Sequence, residues 1–310
     1  MKLAFVFPGQ GSQSIGMMAP FEELPAVQRT FEEAGAALGI DLWALVRDGP
    51  AEELSKTVNT QPVMLVAGIA LFRAWRELGG IDPVAVAGHS LGEYPALVAA
   101  GVLDFAETVP FVRYRAQVMQ EAVPEGQGAI AAILGLDDQV VRAVCEEAAA
   151  AGVVEPANFN SPEQTVIAGS AKGVHRAIEI AKDRGAKRAM LLPMSAPSHC
   201  SLMRPAAERL SDRLAALHMH APAIAVVNNV DVATEESPER IRDALLRQLC
   251  NPVRWVEGVR ALAGRGVQQI VECGPGGVLT GLNKRITPEP KTVALKDAGT
   301  LRELVAQSKE

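Results

Sequence analysis

Short apolar runs alternate with longer amphipathic segments along most of this chain, as in a sheet whose strands are buried between layers of helices. Five runs have the length of buried strands: 2–7, 84–87, 224–227, 268–272 and 291–295. Helices are predicted at 22–38, 51–58, 63–78, 91–100, 104–122, 202–218, 239–249, 255–264 and in a segment that runs through Arg285. The pattern therefore predicts an α/β fold.

A different pattern begins after the Pro/Gly-rich break at 124–128. Strands are predicted at 129–136, 154–159, 165–168 and 188–193, helices at 138–151 and 172–184, and a turn at 160–163. The order βαββαβ is that of the ferredoxin-like module, which buries one face of its sheet under two helices. We therefore place an inserted domain at 124–196, within a main domain made of 1–123 and 197–310.

Composition and charge exclude several classes of protein. The 310 residues suffice for a large domain with an insertion, and 48% hydrophobic with 21% charged residues is a globular balance. A formal net charge of −6 argues against nucleic acid, or an anionic membrane surface, as the main partner. The first apolar run is too short for a signal peptide or a membrane span, and we expect residues 303–310 to be solvated.

The cysteines are scattered and form no C-x-x-C pair: they are Cys145, Cys200, Cys250 and Cys273. Neither a zinc site nor a disulfide framework is indicated, so we expect no metal. Reduced thiols fit a cytoplasmic protein.

Ser90 lies between Gly88 and Gly92, where an apolar run passes into a predicted helix. This strand–turn–helix setting of G-x-S-x-G is typical of a nucleophile elbow. The turn holds its central residue in a strained conformation and needs neighbours without Cβ atoms. The hydroxyl then projects at a helix N-terminus, where free N–H groups favour developing negative charge.

A serine hydroxyl needs a base, and five histidines are candidates. His199 follows Pro197-Ser198 in a short loop where the chain returns to the main domain, and we predict that it is the base. The others are interpreted as structural, surface or capping residues: His89, His175, His218 and His220. No acidic third member is apparent, but a carbonyl acceptor in 248–252, at a predicted helix end, would orient the imidazole as well.

Three further features could line the same crevice, because ligands bind beyond the carboxyl ends of the strands in open α/β sheets. The Gly-rich loop 8–13 follows the first strand; it is either an ordinary turn or a partner of the elbow. Gln61 either caps a helix or lines the crevice. Arg115 lies among apolar neighbours, where an arginine is either paired for structural reasons or functional.

Five motifs together resemble the malonyl-CoA:acyl carrier protein transacylase family. They occur in the family's order and span nearly the whole chain: Phe-Pro-Gly-Gln-Gly-Ser-Gln at 7–13, Gly-His-Ser-Leu-Gly-Glu-Tyr at 88–94, Arg115 before Met-Gln-Glu-Ala at 119–122, Pro-Ser-His-Cys at 197–200, and Asn-Pro-Val-Arg-Trp at 251–255. The resemblance implies an α/β-hydrolase-like main domain with a parallel sheet and a ferredoxin-like insertion.

The resemblance also implies roles for individual residues. Ser90 would attack the malonyl thioester and His199 would move the proton. The remaining roles are an oxyanion hole from the N–H groups of Gln10 and Leu91, an orienting carbonyl at Gln248, a carboxylate clamp at Arg115, and Gln61 near that carboxylate.

The implied reaction is ping-pong transfer of malonyl from CoA to the phosphopantetheine thiol of acyl carrier protein, in fatty acid synthesis. No cofactor, no nucleic acid and no membrane are expected to take part, and a monomer is expected. Because carrier proteins are acidic, a local basic patch is expected, with Arg188 favoured among Lys182, Arg184, Lys187 and Arg188.

Three alternatives remain open. The chain is a free-standing acyltransferase that serves a polyketide synthase, a serine thioesterase or esterase, or a catalytically inactive module that only docks a carrier protein. Two positions depart from the family pattern: Pro95 stands where serine is common, and Ala116 where glycine is common. We expect these to affect the rate and the acyl preference rather than the type of reaction.

Overall fold

The computed structural model describes residues 1–193 and 196–309, and the strands in these ranges form two separate sheets. In chain order the strands are β1 (Leu3–Phe7), β2 (Ala85–Gly88), β3 (Gly128–Leu134), β4 (Val154–Ser161), β5 (Gln164–Ser170), β6 (Arg188–Leu191), β7 (Ala225–Val227), β8 (Gln269–Glu272) and β9 (Lys291–Ala294).

The larger sheet has five strands in the order β7-β2-β1-β8-β9, and every pairing in it is parallel. Strand β1 is central and buried along its whole length. Leu3, Phe5 and Phe7 enter the hydrophobic cluster on one face, whereas Ala4 and Val6 enter the cluster on the other. Successive side chains of a strand point to opposite faces, so a strand covered on both sides reads as a continuous apolar run. The predicted α/β fold with a parallel sheet is confirmed.

Helices cover both faces of this sheet. In chain order the helices of the described residues are α1 (Pro25–Leu38), α2 (Leu42–Asp48), α3 (Ala51–Ser55), α4 (Thr57–Glu77), α5 (Glu93–Ala99), α6 (Phe105–Glu121), α7 (Asp138–Ala148), α8 (Ala171–Asp183), α9 (Arg204–Ala216), α10 (Pro238–Cys250), α11 (Trp255–Gly264), α12 (Val278–Ile286) and α13 (Ala298–Ser308). Of these, α7 and α8 pack on the smaller sheet. Helix α4, the longest, packs against α1 and α6 on one face, while α11 and α12 lie in the cluster on the other. None of the helices in the described ranges has the length and apolarity needed to cross a membrane.

The smaller sheet is antiparallel, with the order β4-β5-β3-β6. Its strands and the two helices α7 and α8 follow one another as βαββαβ, and both helices contribute to one cluster with the inner face of the sheet. This is the element order predicted for the insertion, and all of it lies between Gly128 and Leu191. The boundaries 124–196 stay a prediction, and Met194 and Ser195 lie outside the described residues.

Three segments differ from the sequence-based expectations. The sequence predicted a helix from 63 to 78, but α4 begins at Thr57 and contains Pro62. Burial of the residues from 60 to 72 outweighs the one backbone hydrogen bond that the proline removes. Helix α2 was not predicted. The C-terminal residues 303–308 are not fully solvated: they belong to α13, whose Leu304 and Val305 pack in the main core.

Candidate active site

Ser90 sits directly after β2, at the start of a 3-10 turn that continues into α5. Its φ of 54° lies in the left-handed region, which L-residues rarely adopt. A Cβ on Gly88 would lie 1.8 Å from the carbonyl carbon of Gly92, and one on Gly92 would lie 2.0 Å from the main-chain oxygen of Phe7. Both positions therefore require glycine, and the tight turn they permit presents Ser90 to a cavity.

Ser90 Oγ lies 2.6 Å from Nε2 of His199. The other ring nitrogen, Nδ1, lies 2.8 Å from the main-chain oxygen of Gln248. Because a carbonyl oxygen only accepts hydrogen bonds, Nδ1 carries the proton and Nε2 accepts from the serine hydroxyl. The pair is therefore arranged for proton transfer from serine to imidazole.

His199 is held by the end of helix α10. Its main-chain N–H donates to the oxygen of Leu249 at 2.9 Å, so two of the last helical carbonyls, at 248 and 249, bind this one residue. Burial, and secondly the positive charge of Arg115, lower the pKa of His199 to about 3, against the opposing hydrogen bond to Gln248. The imidazole is therefore neutral in the free protein.

Arg115 is almost completely buried in the same cavity, with 1% of its surface exposed. Nη1 donates to Oε1 of Gln61 at 2.8 Å, and Nη2 donates to Oε1 of Gln248 at 3.0 Å. The guanidinium carbon lies 5.4 Å from the ring centre of Tyr94, and Nε has no partner among the described residues. The neighbours fix the orientation of the group but leave its charge without a carboxylate in direct contact.

Gln61 does not cap a helix, since α4 begins four residues earlier and shows no side-chain cap. Its oxygen accepts from Arg115, and its Nε2 lies 3.7 Å from the sulfur of Met119. Of the two alternatives left open by the sequence, the structure places Gln61 in the cavity wall.

The loop after β1 lies beside the elbow because Phe7 pairs with Gly88 in the parallel ladder. His89 N–H donates to the oxygen of Phe7 at 3.0 Å, which continues the pairing one residue beyond β2. Gln10 lines the cavity, and its main-chain N–H has no acceptor within residues 1–193 and 196–309. Leu91, at the other side, is in the first turn of a helical segment, where N–H groups lack intrahelical partners.

The insertion supplies the opposite wall. Ile130, Val166 and Leu192 line the cavity, whose volume is about 260 Å³. Asn160 on β4 also lines it and accepts a hydrogen bond from His89 Nε2 at 2.7 Å. His89 also packs on Trp255, and both contacts fit the structural role expected from the sequence.

The model of the acyl transferase domain family matches residues 4–296. A malonyl CoA-acyl carrier protein transacylase from Escherichia coli K12 is 56% identical over 97% of both chains. The chain belongs to the malonyl CoA-acyl carrier protein transacylase family. The family resemblance stated from the five motifs is confirmed, and the chain is accordingly an acyltransferase.

Solved structures of this family share the fold. A crystal structure of an acyl-carrier-protein S-malonyltransferase from Burkholderia pseudomallei 1710b is 56% identical, with a TM-score of 0.97 over 99% of this chain and 100% of that one. A type II polyketide synthase acyl-carrier protein in complex with its malonyl-transacylase supplies a second match, 51% identical, with a TM-score of 0.97 over 99% of this chain and 100% of that one.

Two departures from the family pattern fit locally. Pro95 is the third residue of α5, where a missing N–H costs little, and it packs close to Gly68 of α4. Ala116 is fully buried, and the neighbouring Arg115 still makes both of its bonds to glutamine.

Arg188 is exposed at the start of the edge strand β6 and does not line the cavity. It precedes the cavity-lining Leu192 by four residues, which is ~13 Å along an extended strand. Two other members of the predicted basic patch are occupied in surface ion pairs: Arg184 with Glu147, and Lys187 with Glu163. A contact between Arg188 and a substrate or carrier protein stays a prediction.

Sequence reasoning missed Glu93, Asn158, Asn160 and Asn229, which lie in or just beneath the cavity and are buried. For one pair the sequence did contain a signal. Asn158 and Asn160 are polar residues at alternating positions of β4, and both are buried. No group of three or more His, Cys, Asp or Glu side chains in the described ranges is arranged to hold a metal ion.

Gly92→Ala is expected to reduce the rate at which Ser90 is labelled by a fluorophosphonate by about 10² or more, since the new methyl group displaces the elbow from Phe7. The control is Gly258→Ala in α11, where an added Cβ meets nothing within 4 Å. Equal labelling of the two variants would contradict this account of the elbow.

The pH dependence of the same labelling reaction reports the basicity of His199. Because its pKa is lowered, the neutral base persists as the pH falls, and we expect a level rate from pH 8 to about 5. A loss of half the rate near pH 6.5, in protein shown to be folded by circular dichroism, would contradict the burial argument.

Proposed function

We propose that this chain transfers a malonyl group from CoA to the phosphopantetheine thiol of acyl carrier protein, through a malonyl ester on Ser90. The observation that carries the proposal is the placement of a serine–histidine pair, 2.6 Å apart, and a buried arginine in one cavity. Family membership supports the same reaction.

In the first half-reaction, Ser90 Oγ attacks the thioester carbonyl while His199 Nε2 takes the hydroxyl proton. The oxygen of the tetrahedral intermediate is placed to accept from the N–H groups of Gln10 and Leu91. Collapse of the intermediate breaks the carbon–sulfur bond, and His199 returns its proton to the departing CoA thiolate. The product is the malonyl ester of Ser90.

In the second half-reaction, His199 takes the proton of the phosphopantetheine thiol, and the sulfur attacks the ester. The carbon–oxygen bond then breaks, and the proton passes back to Ser90. The imidazolium formed transiently in each half donates from Nδ1 to the oxygen of Gln248 at a helix C-terminus, where positive charge is favoured. A carboxylate is therefore not required as a third member.

Arg115 selects acyl groups that end in a carboxylate. With its two hydrogen bonds to Gln61 and Gln248, three of its five N–H donors have no hydrogen-bond partner among the described residues. A malonyl carboxylate would supply the missing counter-charge, and an ion pair in a buried site is much stronger than one in water. Gln61 contributes by holding the guanidinium rather than by contacting the reacting atoms.

We place the reaction in fatty acid synthesis. Service to a polyketide synthase is the second candidate, favoured by the 51% identical malonyl-transacylase whose partner is a polyketide carrier protein. The ratio of transfer rates to the two kinds of carrier protein distinguishes these pathways. Arg188 is our candidate for a contact with the acidic carrier protein, because it is exposed on the edge strand that leads into the cavity wall.

Mass spectrometry of the intact protein after mixing with malonyl-CoA tests the covalent step. We expect the mass of one malonyl group to be gained, and the gain to disappear in Ser90→Ala. Subsequent addition of phosphopantetheinylated carrier protein is expected to remove the group. No gain in the wild-type protein would exclude the ester mechanism and favour a silent docking module.

Arg115→Ala separates transfer of malonyl groups from a general thioesterase activity. We expect kcat/KM for malonyl-CoA to fall by about 10² to 10³, because a charge-assisted bidentate contact in a buried site is lost. Turnover of acetyl-CoA is expected to rise or stay level. An equal loss for both thioesters would contradict the role of Arg115 as a clamp.

A further inference from the structure

Glu93 is a buried carboxylate directly beneath the elbow, with 2% of its surface exposed. Within residues 1–193 and 196–309, no Lys, Arg or His nitrogen lies within ion-pair distance of it. Burial raises the pKa of Glu93 to about 7, while hydrogen bonds from Gln248 and Asn229 oppose that shift. Burying an acidic group costs free energy unless hydrogen bonds compensate, so the hydrogen-bond partners of Glu93 indicate what the residue does.

The first contact is with the side chain of Gln248, whose Nε2 donates to Oε2 of Glu93 at 2.8 Å and to the main-chain oxygen of Ser90 at 3.1 Å. Since a carbonyl oxygen only accepts, the amide nitrogen must face these two groups, which leaves Oε1 for Arg115. Glu93 is thus one of three groups, with the Ser90 oxygen and Arg115, that fix the orientation of the amide, and it supplies the shorter of the two bonds to Nε2. The reversed amide would present N–H donors to the cationic guanidinium.

Gln248 is also the residue whose main-chain oxygen orients His199, at 2.8 Å from Nδ1. One residue therefore contacts the base, the nucleophile's backbone and the buried arginine. Its side chain and main chain lie on one rigid helix, α10, so their positions depend on each other.

The second contact of Glu93 is with the main-chain N–H of Asn229, at 3.1 Å. The side chain of Asn229 binds the elbow on both sides of the nucleophile: Oδ1 accepts from Ser90 N–H at 2.8 Å, and Nδ2 donates to the oxygen of Gly88 at 2.7 Å. The Glu93 carboxylate thereby joins the segment that holds the elbow to the segment that holds Arg115.

We propose that Glu93 is a positioning residue that, through the Gln248 amide, holds the Arg115 guanidinium in register with the Ser90–His199 pair, and so sets the preference for carboxylate-bearing acyl groups. The inference rests on the proposed function. Glu93 does not itself touch substrate; its effect passes through Gln248 to Arg115.

The test compares kcat and KM for malonyl-CoA and acetyl-CoA in Glu93→Met and Glu93→Gln, with carrier protein as acceptor. Methionine offers no strong acceptor, so Nε2 of Gln248 keeps only the Ser90 oxygen and the amide is held less firmly against Arg115. We expect KM for malonyl-CoA to rise about tenfold and the malonyl/acetyl ratio of kcat/KM to fall about tenfold. The acetyl-CoA rate should change less than about threefold. Glu93→Gln, whose amide oxygen can accept from both donors, should restore most of the ratio.

A double-mutant cycle with Arg115→Ala shows whether the effect passes through the arginine. In that background Glu93→Met should leave the malonyl/acetyl ratio unchanged. An equal loss for both substrates in Glu93→Met, an unchanged ratio, or an additive effect in the cycle would each overturn the inference.

If Glu93→Met does not fold, as judged by circular dichroism and thermal unfolding, Glu93→Asp replaces it. Aspartate keeps the carboxyl group but withdraws it from Gln248 by one methylene group, and the malonyl/acetyl ratio should again fall; an unchanged ratio would overturn the inference. Failure of the proposed function is recognised separately, because the wild-type protein would then transfer no malonyl at all.

Discussion

The close approach of two backbones, at the carboxyl ends of β1 and β2, is the constraint on which this site depends. Neither glycine of the elbow has space for a side chain, because one faces the turn itself and the other faces the main-chain oxygen of Phe7. The contact forces Ser90 into a left-handed conformation and places the Gln10 loop beside it. Strain of this kind persists only when the surroundings over-determine it, and here two buried parallel strands do so.

The second principle of the site is that neutral amides, not carboxylates, surround its buried cation. Gln61 and Gln248 orient Arg115 without cancelling its charge, and the nearest acid, Glu93, is separated from it by the Gln248 side chain. An unpaired buried charge is unfavourable, and in the proposed function the carboxylate of the acyl group would supply its counter-charge. Burial, and secondly the same charge, lower the pKa of His199 and favour its neutral form.

Much of the fold followed from local patterns. The strands around 2–7 and 84–87, the βαββαβ order and most helices were predictable because buried strands and amphipathic helices have characteristic periods. Helix α4 was predicted to start too late, because Pro62 resembled a boundary. Helix α13 was not predicted, because whether Leu304 and Val305 are covered depends on elements far away in the chain.

Residue types along the chain were enough to propose a nucleophile, a base and a carbonyl acceptor, since each candidate lies in one short stretch: the G-x-S-x-G turn, the loop at 197–200 and the helix end at 248–252. Which of these groups meet depends on tertiary packing. Ser90 and His199 are 109 residues apart, and the contacts of Gln248 with Ser90 and Glu93 join positions more than 150 residues apart. Side-chain orientation across such distances depends on the packing of whole helices and strands, which no local pattern records.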